Sequence, residues 1–272
     1  MPFEAYKIYE EYEPDKFKTS TQKKVEQALD VAQKEGLVPE TKEAHVEFEE
    51  AQEIFGSDFL GPESVGSTFG VEFSQEELNQ IENIPFTREE LEKAKKLGMM
   101  LVLRVPRVGK DKTAKSLTIK QMRGVFKGED KLGDPKKKKS QIFYDHDWYN
   151  KEEFATKDTP SLGWGLVTKK ILEESRSKNW DQQQEVLKKW AEENGIDPTS
   201  IRRRTPVEIA YDTLLYYGSN KESLLADTWD WTGVRSSVGG FVFVGDFDSD
   251  GLHVHRATRG RTDSILGVCP SR

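Results

Sequence analysis

The last fifty residues, Ser223 to Arg272, contain no Lys, Glu, Gln or Met, although Lys and Glu recur throughout the chain before them. A segment with this restriction is either buried so deeply that long charged side chains are excluded, or drawn from a restricted set of codons. Burial alone does not account for it. Arg256 to Ser264 reads R-A-T-R-G-R-T-D-S, and such a stretch cannot enter a core without a partner for each polar group.

A chain of 272 residues is long enough for one large domain or two smaller ones with a sizeable core. Its formal net charge of −7 argues against a general nucleic-acid binder. The basic blocks Lys136 to Lys139 and Arg202 to Arg204 read as solvated loop or helix-flank charge. One cysteine, Cys269, leaves no intrachain disulfide to form. The N-terminal residues hold no apolar run of signal-peptide length, and no stretch reaches the roughly 18 apolar residues of a membrane span. The expected setting is inside the cell or on a virion.

Two textures divide the chain. Residues 1–88 are acidic and sparsely apolar, and read as a small, mainly helical module of unassigned function. Thr21 to Glu35 has a helical apolar face of Val25, Ala28, Leu29 and Ala32. Ser74 with Glu77, and Thr87 with Glu90, are capping boxes, the first opening a short helix to about Ile81 and the second a helix to Leu97 that stops at Gly98.

From residue 89 to 272 a second, strand-rich domain is expected, giving an α+β chain. Met99 to Pro106 (M-M-L-V-L-R-V-P) reads as a buried strand. It is expected in one sheet with Phe241 to Val244. Gln141 to Trp148 reads as strand then loop, Leu162 to Val167 as a further strand, and Ile119 to Phe126 as a helix. Asp181 to Asn194 reads as a helix with Val186, Leu187 and Trp190 inward. Thr205-Pro206 caps and opens a helix whose apolar face is Ile209, Leu214 and Leu215.

The motifs for catalysis and metal binding are incomplete. Asp246, Asp248, Asp250 and Gly251 match the first half of a calcium loop, but Ala257 stands where the bidentate Glu belongs. A turn rich in Asp and Gly is the simpler reading. His253 and His255 point the same way from one strand, yet a zinc site needs two further ligands. Cys269 has no base placed beside it by the sequence. Val105 to Thr113 lacks the first glycine of a phosphate loop. No catalytic residue, metal or cofactor is expected.

What remains is a surface. In F-V-F-V, alternation sets Val242 and Val244 against Phe241 and Phe243. Either the valines face the core and the phenylalanines stand exposed, or the strand is buried on both faces. Leu252 and Val254 share one parity, His253 and His255 the other. Exposed Phe, His, Arg and Asp in one segment suit a recognition surface, because aromatics and Arg dominate binding hot spots.

The tail reads W-x-W-T…R-S-S-x-G-G-x-V-x-V-G-x-F-x-S-x-G-x-x-V…L-G-V-C-x-S-R, from Trp229 to Arg272. In these residues the chain resembles the variable proteins of diversity-generating retroelements, most strongly those of archaea, their viruses and candidate bacterial phyla. The resemblance implies a C-type lectin-like fold of the formylglycine-generating-enzyme type. It covers about two thirds of the chain, with G-M-M-L-V-L-R-V-P, F-Y-D-H-D-W-Y and L-G-W-G-L-V as its earlier strands. It also implies a cause for the restricted composition: mutated AAY codons become NNY codons, which cannot encode Lys, Glu, Gln, Met or Trp. The variable region is placed at about 233–272, although Gly233-Val234 departs from the Arg-Ser pair common there.

The expected function is therefore binding. The positions that match the family's pattern should be scaffold, with Val242, Val244, Phe247, Val254 and Leu266 inward. The positions between them should face a variable ligand, a protein or glycan on another cell or particle: Phe241, Phe243, Asp246, Asp248, Asp250, Leu252, His253, His255, Ala257, Arg259, Arg261, Thr262, Asp263 and Ser264. A calcium-dependent lectin using Asp246, Asp248 and Asp250 is the alternative. An enzyme of the formylglycine-generating type comes behind it, because that chemistry needs paired cysteines.

Overall fold

The computed structural model describes residues 46–110, 114–125, 142–144 and 148–272. The helix expected at Thr21 to Glu35 and the basic block at Lys136 to Lys139 lie outside them. The described residues are mixed helix and strand, an α+β arrangement.

In chain order the elements are α1 (Phe48–Phe55), β1 (Phe59–Leu60), α2 (Pro62–Phe69), α3 (Gln75–Ile81) and α4 (Arg88–Lys96). There follow β2 (Met99–Arg104), β3 (Arg107–Val108), β4 (Lys115–Ser116), α5 (Ile119–Val125), α6 (Glu153–Thr156) and β5 (Gly163–Thr168). The last are α7 (Trp180–Glu193), α8 (Pro206–Asn220), β6 (Trp229–Arg235), β7 (Phe241–Asp248), β8 (Gly251–Ala257) and β9 (Leu266–Gly267). Both expected capping boxes form, with Ser74 and Thr87 accepting from the amides of Glu77 and Glu90. Thr205 caps α8 in the same way through Glu208, and Pro206 takes the first turn, where its missing N–H costs nothing.

Two sheets flank α8, with strand orders β1-β2-β5 and β8-β7-β6-β9. The expectation that Met99 to Pro106 and Phe241 to Val244 share a sheet is therefore corrected. Alternation and apolarity make a strand, but they do not choose its neighbour. The tail joins the sheets instead. Leu266 and Gly267 pair in parallel with Trp229 and Asp230, and Ser271 then bridges Val167 of β5.

The boundary expected at residue 88 is also corrected, because the compact unit begins at His45. Phe59 and Leu60 pair with Leu101 and Val102. Leu60, Val65, Phe69 and Ile81 are buried in the same cluster as Val244 and Leu214. Acidic texture describes the solvent side of these helices and says nothing about the few apolar residues on their inner side.

Helix α8 is buried from Pro206 to Tyr216. A helix so enclosed is apolar on nearly every side, but this one carries Glu208 and Asp212 into the interior. Arg104 donates to Asp212 through Nε and Nη2 (2.8 and 2.6 Å) and to Glu208 through Nη1 (3.2 Å). Arg204 donates to Asp212 (2.9 Å) and to Asp230 of β6 (2.8 Å), and Asp230 also accepts from the Cys269 amide. Burial opposes charge on Arg204, but the Asp230 and Asp212 carboxylates hold its pKa above the ordinary value. This network links β2, α8, β6 and the tail through buried hydrogen bonds beneath the second sheet.

Candidate functional site

The sheet β8-β7-β6-β9 has two unlike faces. Its inner face carries Val242, Val244, Leu252 and Val254, all buried against α8 and its surroundings. Phe247 joins them because β7 is irregular between Gly245 and Asp248, and it meets Tyr217 edge-on at 5.3 Å. Asp246 takes a positive φ of 51° at this irregularity and donates its amide to Thr228. Of the five expected scaffold residues these four, Val242, Val244, Phe247 and Val254, lie inward; Leu266 is also buried, but in the cluster on the opposite face.

The outer face is aromatic. Trp229, Trp231, Phe241, Phe243 and Leu266 form a buried cluster, with Trp180 of α7 and Ala257 packed against it. Phe241 and Phe243 were expected at the ligand, and this is corrected: they are 6% and 4% exposed. Strand β7 is buried on both faces at these residues, since Trp180 lies 5.0 Å from Phe241 and Trp229 stands edge-on to Phe243 at 5.1 Å. Leu252 is corrected too, being fully buried on the core side with Val254.

Over this aromatic layer lies a polar and cationic one. His253 and His255 stack at 6.2 Å, half-buried, against the edge of Trp229. Tyr144 stacks on His253 at 4.1 Å. The Arg261 guanidinium covers Phe243 at 5.8 Å, and those of Arg259 and Arg235 cover Trp180 and Phe241 at 5.1 and 4.7 Å. Of the expected set, Asp248, Asp250, Arg259, Arg261, Thr262 and Ser264 are exposed, and Asp246, His253, His255, Ala257 and Asp263 half-buried.

The loop after β8 is held by its own backbone. Ser177 and Trp180 donate their amides to the carbonyls of Asp263 (2.8 Å) and Arg259 (3.2 Å). Arg176 donates to the Ser264 carbonyl (2.8 Å), Trp229 to that of Ile265 (2.8 Å), and the buried Gln183 amide to that of Leu266 (3.1 Å). Most of these anchors accept at carbonyls, which every residue type possesses. Side-chain bonds exist as well: Arg259 pairs with Asp181, Arg261 with Asp263 at 2.8 Å, and Asp263 Oδ1 accepts the Ile265 amide at 3.2 Å. The Arg261 hydrogen bond is the main cause of the lowered Asp263 pKa.

The aspartates of the incomplete calcium loop lie on the β7–β8 hairpin. Asp248 uses Oδ1 to accept the Asp250 amide at 2.7 Å, which closes the turn. Among the described residues, no group of three His, Cys, Asp or Glu side chains is placed to hold a metal ion. Cys269 is fully buried, and burial pushes its thiol well above the ordinary range.

The sequence reading missed Trp180, Asp181, Arg235 and Tyr144. Trp180 had a signal: it stands beside the Asn179 cap and outside the inward set of its helix. No protein-family model, curated protein or solved structure matches the chain.

Proposed function

We propose that this chain is a binding protein whose recognition surface is diversified by a retroelement, built on a C-type lectin-like scaffold of the formylglycine-generating-enzyme type. One observation carries the reading. The segment Thr258 to Ser264 is anchored through main-chain carbonyls, while most of its side chains point to solvent. Such a loop keeps its course when its side chains change, as a diversified site requires.

The buried pattern residues and the exposed residues between them fit the same division of labour. His253, His255, Asp246, Asp248, Asp250, Ala257, Arg259, Arg261, Thr262, Asp263 and Ser264 form the variable surface in this reading. Phe241, Phe243 and Leu252 belong to its support. A protein ligand would bury about 800 Å² on each partner. Sequencing the DNA beside the gene tests the proposal. A near-copy of the tail's coding sequence next to a reverse-transcriptase gene is the expected finding; its absence overturns the retroelement origin.

A further inference from the structure

The aromatic pair Trp180–Phe241 gathers more positive than negative charge. Arg203 lies 4.6 Å from the Trp180 ring, Arg259 5.1 Å from the same ring, and Arg235 4.7 Å from Phe241. The Arg203 side chain is buried, and its hydrogen bonds all end on neutral oxygens: Gln183, Gln184, and the carbonyls of Trp180 and Trp231. Burial lowers its pKa to about 10, which still leaves it charged at neutral pH. The carboxylates that act on Arg203 from a distance are Asp230 and Asp181, and both are already engaged, Asp230 by Arg204 and Asp181 by Arg259. Arg235 is exposed and has no carboxylate partner among the described residues. A chain with a net charge of −7 has thus concentrated cations on one aromatic platform.

We propose that this platform docks a carboxylate-rich segment of a partner polypeptide, gripped by Arg235 and Arg259 over Trp180 and Phe241. The proposal rests on the reading of this face as a recognition surface. Guanidinium groups bind carboxylates through paired N–H donors, and backing by an aromatic ring holds them in place without using those donors. The Asp181 carboxylate on Arg259 shows the contact within the chain itself. Polyphosphate fits less well. Asp246, Asp248 and Asp250 stand at the other end of β7, and the chain as a whole is acidic, so a nucleic-acid backbone crossing the sheet would be repelled.

The test is fluorescence anisotropy with a labelled glutamate-rich peptide, its glutamine counterpart, and a single-stranded oligonucleotide of similar length. Expected is binding of the glutamate peptide alone, weakening with added salt, and an affinity loss of about tenfold or more in the Arg235→Gln/Arg259→Gln variant. Asp181→Asn frees Arg259 and should tighten binding several-fold. Equal binding of both peptides, preference for the oligonucleotide, indifference to the arginine substitutions, or no binding at low ionic strength would overturn the proposal. If the glutamate peptide fails while substitution of the exposed loop leaves the fold intact, the anionic partner is wrong and the variable face stands. If loop substitution unfolds the chain, the face itself is wrong.

Discussion

Arg104 and Asp212 meet through two parallel hydrogen bonds, 2.8 and 2.6 Å, with both side chains buried. The strand that carries Arg104 and the helix that carries Asp212 are thereby fixed in register. Arg204 shares the same carboxylate and carries the restraint on to Asp230 beneath the aromatic face. Ion pairs of this kind do not rank above well-packed apolar residues in net stability, but losing one partner strands the others.

Asp212→Ala should therefore cost about 3–5 kcal/mol, because it leaves two buried guanidinium groups short of a carboxylate. Urea denaturation reads this as a lower midpoint at unchanged slope. A loss below about 1 kcal/mol would mean that water or Glu208 takes over the vacated donors.

Glu208 makes the fold sensitive to acid. Burial acts to raise its pKa, but the Arg202 hydrogen bond and the Arg104 charge outweigh burial and bring it to about 2, from an ordinary 4.5. The unfolded chain takes up this proton first, so the stabilisation is full above about pH 4.5 and is lost as pH falls toward 2. The contribution is about 3 kcal/mol. Glu208→Gln should flatten the acid limb of the melting temperature against pH; an unchanged limb would assign it to other carboxylates.

The β6–β7 hairpin is pinned from a distance. Glu152, only 8% exposed, accepts from the Ser237 amide (2.8 Å) and hydroxyl (2.7 Å). Glu152→Ala should cost about 1–3 kcal/mol and speed amide exchange across residues 236 to 240. Faster exchange confined to α6 would show that the hairpin holds without it.

The helices were legible because their signals are local. Ser74, Thr87 and Thr205 each announce a cap, and the acid three residues on completes it. The sheets were legible as strands but not as sheets, since nothing in Met99 to Arg104 says that the strand pairs with Phe59–Leu60 on one side and Gly163–Thr168 on the other. The fate of Phe241 and Phe243 was undecidable for the same reason: alternation divides a strand into two faces, and what covers the second is Trp180, some sixty residues earlier, over Phe241, and Trp229 and Trp231 of the neighbouring strand against Phe243. The loop after Ala257 is exposed except at the half-buried Asp263, as its polarity requires, because too few partners exist in a core for so many polar groups. That carbonyl contacts would hold it could not be read, as main-chain acceptors leave no trace in residue identity.

The aromatic layer and the polar layer above it should respond oppositely to substitution. Phe243 packs against Trp229 and Trp231 and is almost wholly buried, so Phe243→Ala should cost about 3–5 kcal/mol through lost contacts and the cavity left behind. Replacing Arg259, Arg261, Thr262 and Ser264 together by serine or alanine removes the ion pairs to Asp181 and Asp263 but none of the carbonyl anchors. Exposed ion pairs contribute little each. The fourfold variant should therefore stay within about 1 kcal/mol of the parent, read by thermal or urea melts of both proteins side by side. Both halves matter. If Phe243→Ala were harmless, the phenylalanines would return to the set of replaceable positions. If the fourfold variant unfolded, the loop would be held by its side chains, and a surface meant to vary could not be built on it.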